Sequence, residues 1–314
     1  MQRFSRRPLA EPPPAASDDF PQPVFLLAPP RSYTSVVCGV IGQHPQLLGS
    51  PEFNLLRART MREFFASVRA QSGLYRFVAQ LYTGEQTIES IRMAERWAYL
   101  RRDRTTAEVH RELCAKIAPL ALVQKSPAYM KRLGHLKLLL EAFPKARFIH
   151  LLRHPRGTSE STLRFDFAPL RVVVNGGIDR SGPRPVADPQ ILWHDFHLRI
   201  LRFQEMVPPE QWLRVRGEEF LADLDNQLVR ICEWLGISTA PEAIAAMKRP
   251  EESPFACFGP PNALLGNDPN FLNAPQLRPY SARDISLAGP LPWRKDHKPF
   301  HPRVIEMAHA FGYA

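Results

Sequence analysis

The chain has 314 residues, with 41 Lys and Arg against 31 Asp and Glu for a formal net charge of +10, and it is 44% hydrophobic and 23% charged. That composition excludes wholesale disorder, and the length is ample for a large α/β core. The basic residues are dispersed and mostly arginine, without long runs or aromatic-interleaved repeats, which disfavours nucleic acid and favours a cleft that focuses positive potential on a small polyanion.

Proline is abundant at 32 residues and concentrates at the two ends. This predicts a disordered or extended arm over residues 1–22 and an irregular lid over about 250–300. Arg6-Arg7 has no apolar segment after it, so an export signal is not predicted. The cysteines Cys38, Cys114, Cys232 and Cys257 have no metal-ligand spacing and read as buried thiols. With no apolar run near the roughly 20 residues of a bilayer span, a cytoplasmic chain without a membrane span is expected.

Pro23-Val-Phe-Leu-Leu-Ala28 reads as a buried strand, Arg31-Ser-Tyr-Thr-Ser35 as a tight polar turn, and the apolar residues after it as a buried helix. Strand, turn and helix in that order form a phosphate cradle, with backbone N–H groups at the helix start facing the anion. Residues 55–120 read as a helical insertion. Ala121-Leu-Val-Gln124 is a second strand ending in Lys125-Ser-Pro127, and residues 131–143 form an amphipathic helix. Residues 146–152 form a third strand, which Arg153-His-Pro155 ends, and the next helix carries Ser161. Residues 169–189, rich in Pro and Gly, read as a loop or lid. A helix over 190–206, a strand over 212–216 and a helix over about 219–235 that stops at Gly236 complete the pattern. The alternation predicts one α/β domain over 23–314, with a central parallel sheet flanked by helices. Ligands of such sheets bind beyond the carboxyl ends of the strands, where the polar turns at Arg31–Ser35, Lys125–Pro127 and Arg153–Pro155 fall.

Phe25-Leu-Leu-Ala-Pro-Pro-Arg-Ser-Tyr-Thr-Ser35 resembles the 5′-phosphosulfate loop of the sulfotransferases that use 3′-phosphoadenosine-5′-phosphosulfate (PAPS). Arg153-His-Pro-Arg-Gly-Thr-Ser-Glu-Ser161 is similar to that family's 3′-phosphate motif, an Arg-x-Pro with a serine eight residues after the arginine. Arg216-Gly-Glu-Glu-Phe220, Gly266-Asn-Asp-Pro-Asn-Phe-Leu272 and Trp293 look like the branch found in bacterial polyketide synthases. The resemblance covers most of residues 23–313 and rests on the two anion motifs occurring in order, each at the end of a predicted strand. It implies a P-loop-NTPase-like sulfotransferase fold and transfer of a sulfuryl group from PAPS to a hydroxyl of a small-molecule, lipid or polyketide-type acceptor, with release of 3′-phosphoadenosine-5′-phosphate (PAP).

Within that resemblance, Arg31 and the backbone of Ser32, Tyr33, Thr34 and Ser35 hold the 5′ end. Arg153 and Ser161 hold the 3′-phosphate. Arg31 and Lys125 neutralise the bridging oxygen, so no metal is required. Gln43-His-Pro-Gln-Leu-Leu-Gly-Ser-Pro-Glu52 is similar to a family branch with a glutamate eight residues after His44, which implies Glu52 as general base and leaves His44 a turn residue. Tyr33 stands where the family usually has a glycine. Its ring is expected to point outward, to open the loop or to shape the acceptor pocket. His154 replaces the usual Asp or Asn.

Other polar groupings carry blander expectations. His194 and His197 flank Asp195 on one helix without a further ligand, so a surface or core role is expected. The cluster Arg294-Lys-Asp-His-Lys298 is read equally as a cover for the cofactor and as a solvated turn. Phe64, Phe65, Tyr75, Phe165 and Phe167 suggest an apolar acceptor pocket, and the oligomeric state is not legible. The competing functions are a P-loop-type kinase, which the missing Gly-Lys-[Ser/Thr] disfavours, and a non-catalytic nucleotide or polyanion binder.

Overall fold

A computed structural model describes residues 19–68, 71–164, 167–280 and 285–314. Five parallel strands form the central sheet: β1 (Val24–Leu27), β2 (Leu47–Gly49), β3 (Ala121–Lys125), β4 (Arg147–Leu152) and, after a small hairpin of β5 (Ile178–Asp179) and β6 (Val186–Ala187), β7 (Trp212–Arg216). Their order is β2-β3-β1-β4-β7. β1 lies between β3 and β4, with Leu26 beside both Lys125 and Ile149. The segments after β1, β3 and β4 therefore leave the sheet at the same carboxyl end.

The strands are apolar on both faces because both faces are covered. Phe25 and Leu27 of β1, Leu122 of β3 and Phe148 of β4 point into one core, and Val24, Leu26, Val123, Ile149 and Leu151 into the other. The first core is filled by α2 (Met61–Ser67), α3 (Ser72–Thr83), α4 (Ile88–Tyr99), α5 (Thr106–Ile117) and α6 (Leu133–Ala142), together with α9 (Pro189–Gln204). Capping boxes at Thr87 and Thr105 fix where α4 and α5 begin. The opposite face is covered by α1 (Thr34–Ile41), α10 (Gly217–Ala222), α11 (Leu224–Leu235) and α12 (Pro241–Met247). α7 (Pro155–Leu163) and α8 (Ala168–Val174) follow β4, while α13 (Pro269–Asn273) and α14 (Pro302–Ala310) lie in the C-terminal part.

Several expectations are corrected. The Pro/Gly segment 169–189 is not a plain loop: it contains most of α8 and the β5–β6 hairpin. The helix expected over 219–235 is two helices broken at Asp223, and Gly236 ends the second at φ 70°. Of the cysteines, Cys257 is exposed. Phe20, placed in a loose arm by the sequence, is buried edge-on against Phe143 at 6.4 Å. The rest of that arm, residues 1–18, lies outside the described residues, as does Phe165. Phe64 is fully buried core rather than pocket lining, and Phe167 is 79% exposed.

Buried imidazoles tie this packing to pH. His110 on α5 packs among the rings of Phe25, Phe53 and Phe143, and neither ring nitrogen has a partner among the described residues. Burial lowers its pKa to about 3, and lowers His197, paired with His150 at 2.9 Å, to about 3 as well. In the unfolded chain these groups titrate near 6.5. Between pH 6.5 and about 3 the unfolded state binds the extra protons, so stability falls as pH is lowered through that window. Thermal melts are expected to drop as pH falls from 7 to 4.5. His110→Phe should flatten that dependence by up to about 1.4 kcal/mol per pH unit; an unchanged slope contradicts the assignment.

Candidate active site

The turn after β1 takes an unusual path. Arg31 and Tyr33 both have positive φ, 69° and 62°, a region in which side-chain-bearing residues are strained by about 1–2 kcal/mol. α1 begins at once, with the Val37 amide donating to the Tyr33 carbonyl at 3.0 Å. Tyr33 contributes no side-chain cap, and no acid lies in the first turn. The first amides of α1 are thus left without intrahelical partners at the positive end of the helix.

The Tyr33 ring does not point outward. It lies beneath the Arg153 guanidinium, 4.2 Å from ring centroid to Cζ, and packs so closely on Gly217 that a Cβ there would sit 2.6 Å from the Tyr33 Cδ2. Burial pushes the phenol up to about 12, although the Arg153 charge opposes that rise. Tyr33 therefore takes the backbone conformation suited to glycine while its ring forms a shelf for Arg153.

Arg153 follows β4 and its Nη1 donates to the Arg31 carbonyl at 2.6 Å, across 122 residues of sequence. Gly157, in the first turn of α7, leaves room for it: a Cβ there would lie 3.3 Å from the Arg153 Nε. The Arg31 Nε in turn donates to the Ser161 Oγ at 3.1 Å, and Arg31 forms an ion pair with Asp268. Arg31 thus contacts Ser161, which the resemblance groups with Arg153, and Arg153 in turn binds the Arg31 backbone. Burial first, then the Arg153 charge, lowers Arg31 to about 10.

These groups line a cavity of about 510 Å³, a size typical of small-ligand sites. Its wall includes Tyr33, Thr34, Ser35, Ser161 and the arginines Arg31, Arg153, Arg164 and Arg278, against the acids Asp268 and Glu160. The Ser32 Oγ and Arg153 Nε are buried without a hydrogen-bond partner among the described residues. Unsatisfied donors, surplus cations and a bare helix end fit an oxyanion ligand.

Lys125 and Glu52 are not part of that wall. Lys125, 1% exposed at the end of β3, donates to the Ser35 Oγ at 2.8 Å and to the Glu52 Oε1 at 2.6 Å. Ser35 thus links the cavity to a lysine–glutamate pair whose carboxylate side chain is 30% exposed.

The remaining polar candidates serve the scaffold. His44 accepts from the Gln46 amide through Nδ1 and lies 2.9 Å from the Ser238 carbonyl through Nε2. His154 caps α7 by accepting from the Arg156 amide. Arg294 is buried in ion pairs with Asp179 and Asp188 at 2.6 Å, so it ties the C-terminal part to the β5–β6 hairpin. His194 contacts Asp195, and His197 contacts His150. The sequence signal for Asp268 is the Gly266–Leu272 block, whose resemblance gives no role to its single residues.

A family model described as "Sulfotransferase family" matches residues 23–241. An omega-hydroxy-beta-dihydromenaquinone-9 sulfotransferase of Mycobacterium bovis is 28% identical over 117 residues, 37% of this chain and 29% of its own length. The chain thus matches under a third of the length of that curated relative. Among solved structures, the sulfotransferase domain from the curacin biosynthetic pathway aligns with TM-score 0.76 at 22% identity, covering 94% of this chain and 98% of its own. The sulfotransferase domain of the Synechococcus PCC 7002 olefin synthase aligns with TM-score 0.70 at 24% identity, covering 94% and 97%. Both share the fold.

Strain and shelf at position 33 can be separated. Tyr33→Ala keeps the left-handed backbone and loses the ring, whereas Tyr33→Gly also relieves the strain. In denaturant titrations the Gly variant should be about 1 kcal/mol more stable than the Ala variant. Equal stabilities would contradict the strained conformation.

Proposed function

The chain belongs to the sulfotransferase family, and from that premise we propose that it transfers a sulfuryl group from PAPS to the hydroxyl of a small-molecule, lipid or polyketide-type acceptor. The observation that carries this reading is the convergence of Arg31 and Arg153 on one cavity beside the bare start of α1. A nucleotide with phosphate at both ends needs two cationic contacts and a run of backbone donors, and these residues are of that kind. The Thr34–Val36 amides and the hydroxyls of Ser32, Thr34 and Ser35 suit the 5′ end. Arg153 and Ser161 suit the 3′-phosphate, with Arg31 between them.

When bound, PAPS supplies the sulfuryl group and a phosphate leaving group. The protein's contribution is position and charge. Glu52 takes the acceptor's hydroxyl proton as the new O–S bond forms and the bridging O–S bond breaks. Lys125, held between Glu52 and Ser35, brings its charge to the side of the phosphosulfate loop as its carboxylate partner is protonated. The name of the mycobacterial relative specifies a hydroxylated dihydromenaquinone, which fits a hydroxyl acceptor with an apolar body.

A non-catalytic anion binder on the same fold is the second reading, and the exclusion of Lys125 and Glu52 from the cavity wall favours it. Mass spectrometry after incubation with PAPS and a panel of phenols and alcohols separates the two: PAP with sulfated product supports transfer, and nucleotide binding without product supports the binder.

Glu52→Gln should cut turnover by roughly 10²–10⁴-fold while leaving PAP affinity nearly unchanged; undiminished turnover would remove Glu52 from the base role. Arg153→Ala should abolish the preference for nucleotides that carry a 3′-phosphate over those that lack it. Retention of the wild-type preference would show the clamp assignment to be wrong.

A further inference from the structure

A second set of cations lies next to the Lys125–Glu52 pair. The turn Leu55–Arg57, a few residues after Glu52, packs against the segment Pro127–Lys131, which follows Lys125, and against α6. This packing gathers Arg57, Lys131, Arg132 and His135. Burial holds Arg57, Lys131 and His135 below their ordinary values; the Arg57 charge lowers Lys131 and His135 further, and the Arg132 charge lowers Arg57 against an opposing effect of Tyr129, so the groups sit within electrostatic reach. Among the described residues no carboxylate forms a salt bridge with any of the four, and the Arg57 Nε is buried without a partner.

The start of α6 sharpens the imbalance. Arg132 is its N-cap and offers no capping side chain, and no acid occupies the first turn. Helix N-termini favour negative charge, yet Lys131 and Arg132 place positive charge there, beside a His135 that burial keeps neutral. Lys131 and Arg132 are exposed, so this concentration of positive charge is open to an anion from solvent. Tyr129 connects this cluster to the candidate base, because its buried hydroxyl feels the charges of both Arg57 and Glu52.

We propose that Arg57, Lys131, Arg132 and the start of α6 form an anchoring site for a phosphate group carried by the acceptor, which seats the acceptor's hydroxyl at Glu52. The role for the acceptor rests on the sulfuryl-transfer reading; the anion site itself does not. A dianionic phosphate matches two guanidinium forks, an ammonium and free helix amides, whereas a single carboxylate leaves the cluster strongly positive.

The test is calorimetric titration of inorganic phosphate into the full chain at low ionic strength, with and without saturating PAP. Wild type is expected to keep one phosphate equivalent in the presence of PAP, without competition from acetate at equal concentration. Arg57→Gln/Arg132→Gln should weaken that equivalent at least about tenfold while PAP affinity stays unchanged. Lys131→Gln, at an exposed position, should weaken it severalfold and guards against misfolding of the double variant. Phosphate binding that is insensitive to these substitutions, no equivalent remaining beside PAP, or equal competition by acetate overturns the proposal. If PAP does not bind but the substitution-sensitive phosphate persists, the nucleotide reading falls and the anion site stands.

Discussion

The Arg153 guanidinium donates to the Arg31 carbonyl at the carboxyl end of the sheet, and the site is organised around that contact. Burial first, and then the Arg153 charge, lowers the Arg31 pKa, so the two like charges repel. The chain offsets this with a carboxylate from Asp268, an aromatic face from Tyr33 and a hydroxyl from Ser161. Each of these comes from a different element, so the fold as a whole holds the charges together. A ligand with more than one phosphate supplies the missing negative charge, which is why the arrangement reads as a binding site and not as packing.

The parallel sheet makes the contact possible. β1 sits between β3 and β4 and runs parallel to both, so the turn carrying Arg31, the end of the strand carrying Lys125 and the segment carrying Arg153 share the carboxyl end of the sheet. Ser35 then stands at a junction: it lines the cavity and accepts from Lys125, which also binds Glu52. Charge placed in the cavity and a proton placed on Glu52 are therefore connected through two hydrogen bonds. Asp268 occupies the Arg31 guanidinium from the C-terminal side, as an internal carboxylate beside groups suited to an oxyanion.

β1, β3 and β4 are legible in the sequence as apolar runs that end in charged or proline-rich turns, and the edge strand β7 as the alternation Trp212-Leu-Arg-Val-Arg216. β2 was missed: it is three residues at the sheet edge, Leu47–Gly49, too short to show a period. The segment 169–189 misled because proline and glycine mask a helix whose first turn accepts Pro169 and a hairpin closed by a Gly/Pro-rich turn. Arg31, Arg153 and Ser161 were recognisable from local motifs, but which of them touch was not, since contacts across 122 and 130 residues are set by strand order. Tyr33 was flagged through backbone geometry, yet the inward shelf depends on the absence of a side chain at Gly217, which is remote in sequence. The Asp268 pairing is of the same kind.

The central claim is that Arg31 and Arg153 act together on one nucleotide. PAP affinity measured by calorimetry across Arg31→Gln, Arg153→Gln and the double variant tests it most directly. Each single change should weaken binding by more than about tenfold, and the double loss should fall well short of the product, as for residues that share one anion site. Unchanged affinity in both single variants would contradict the account.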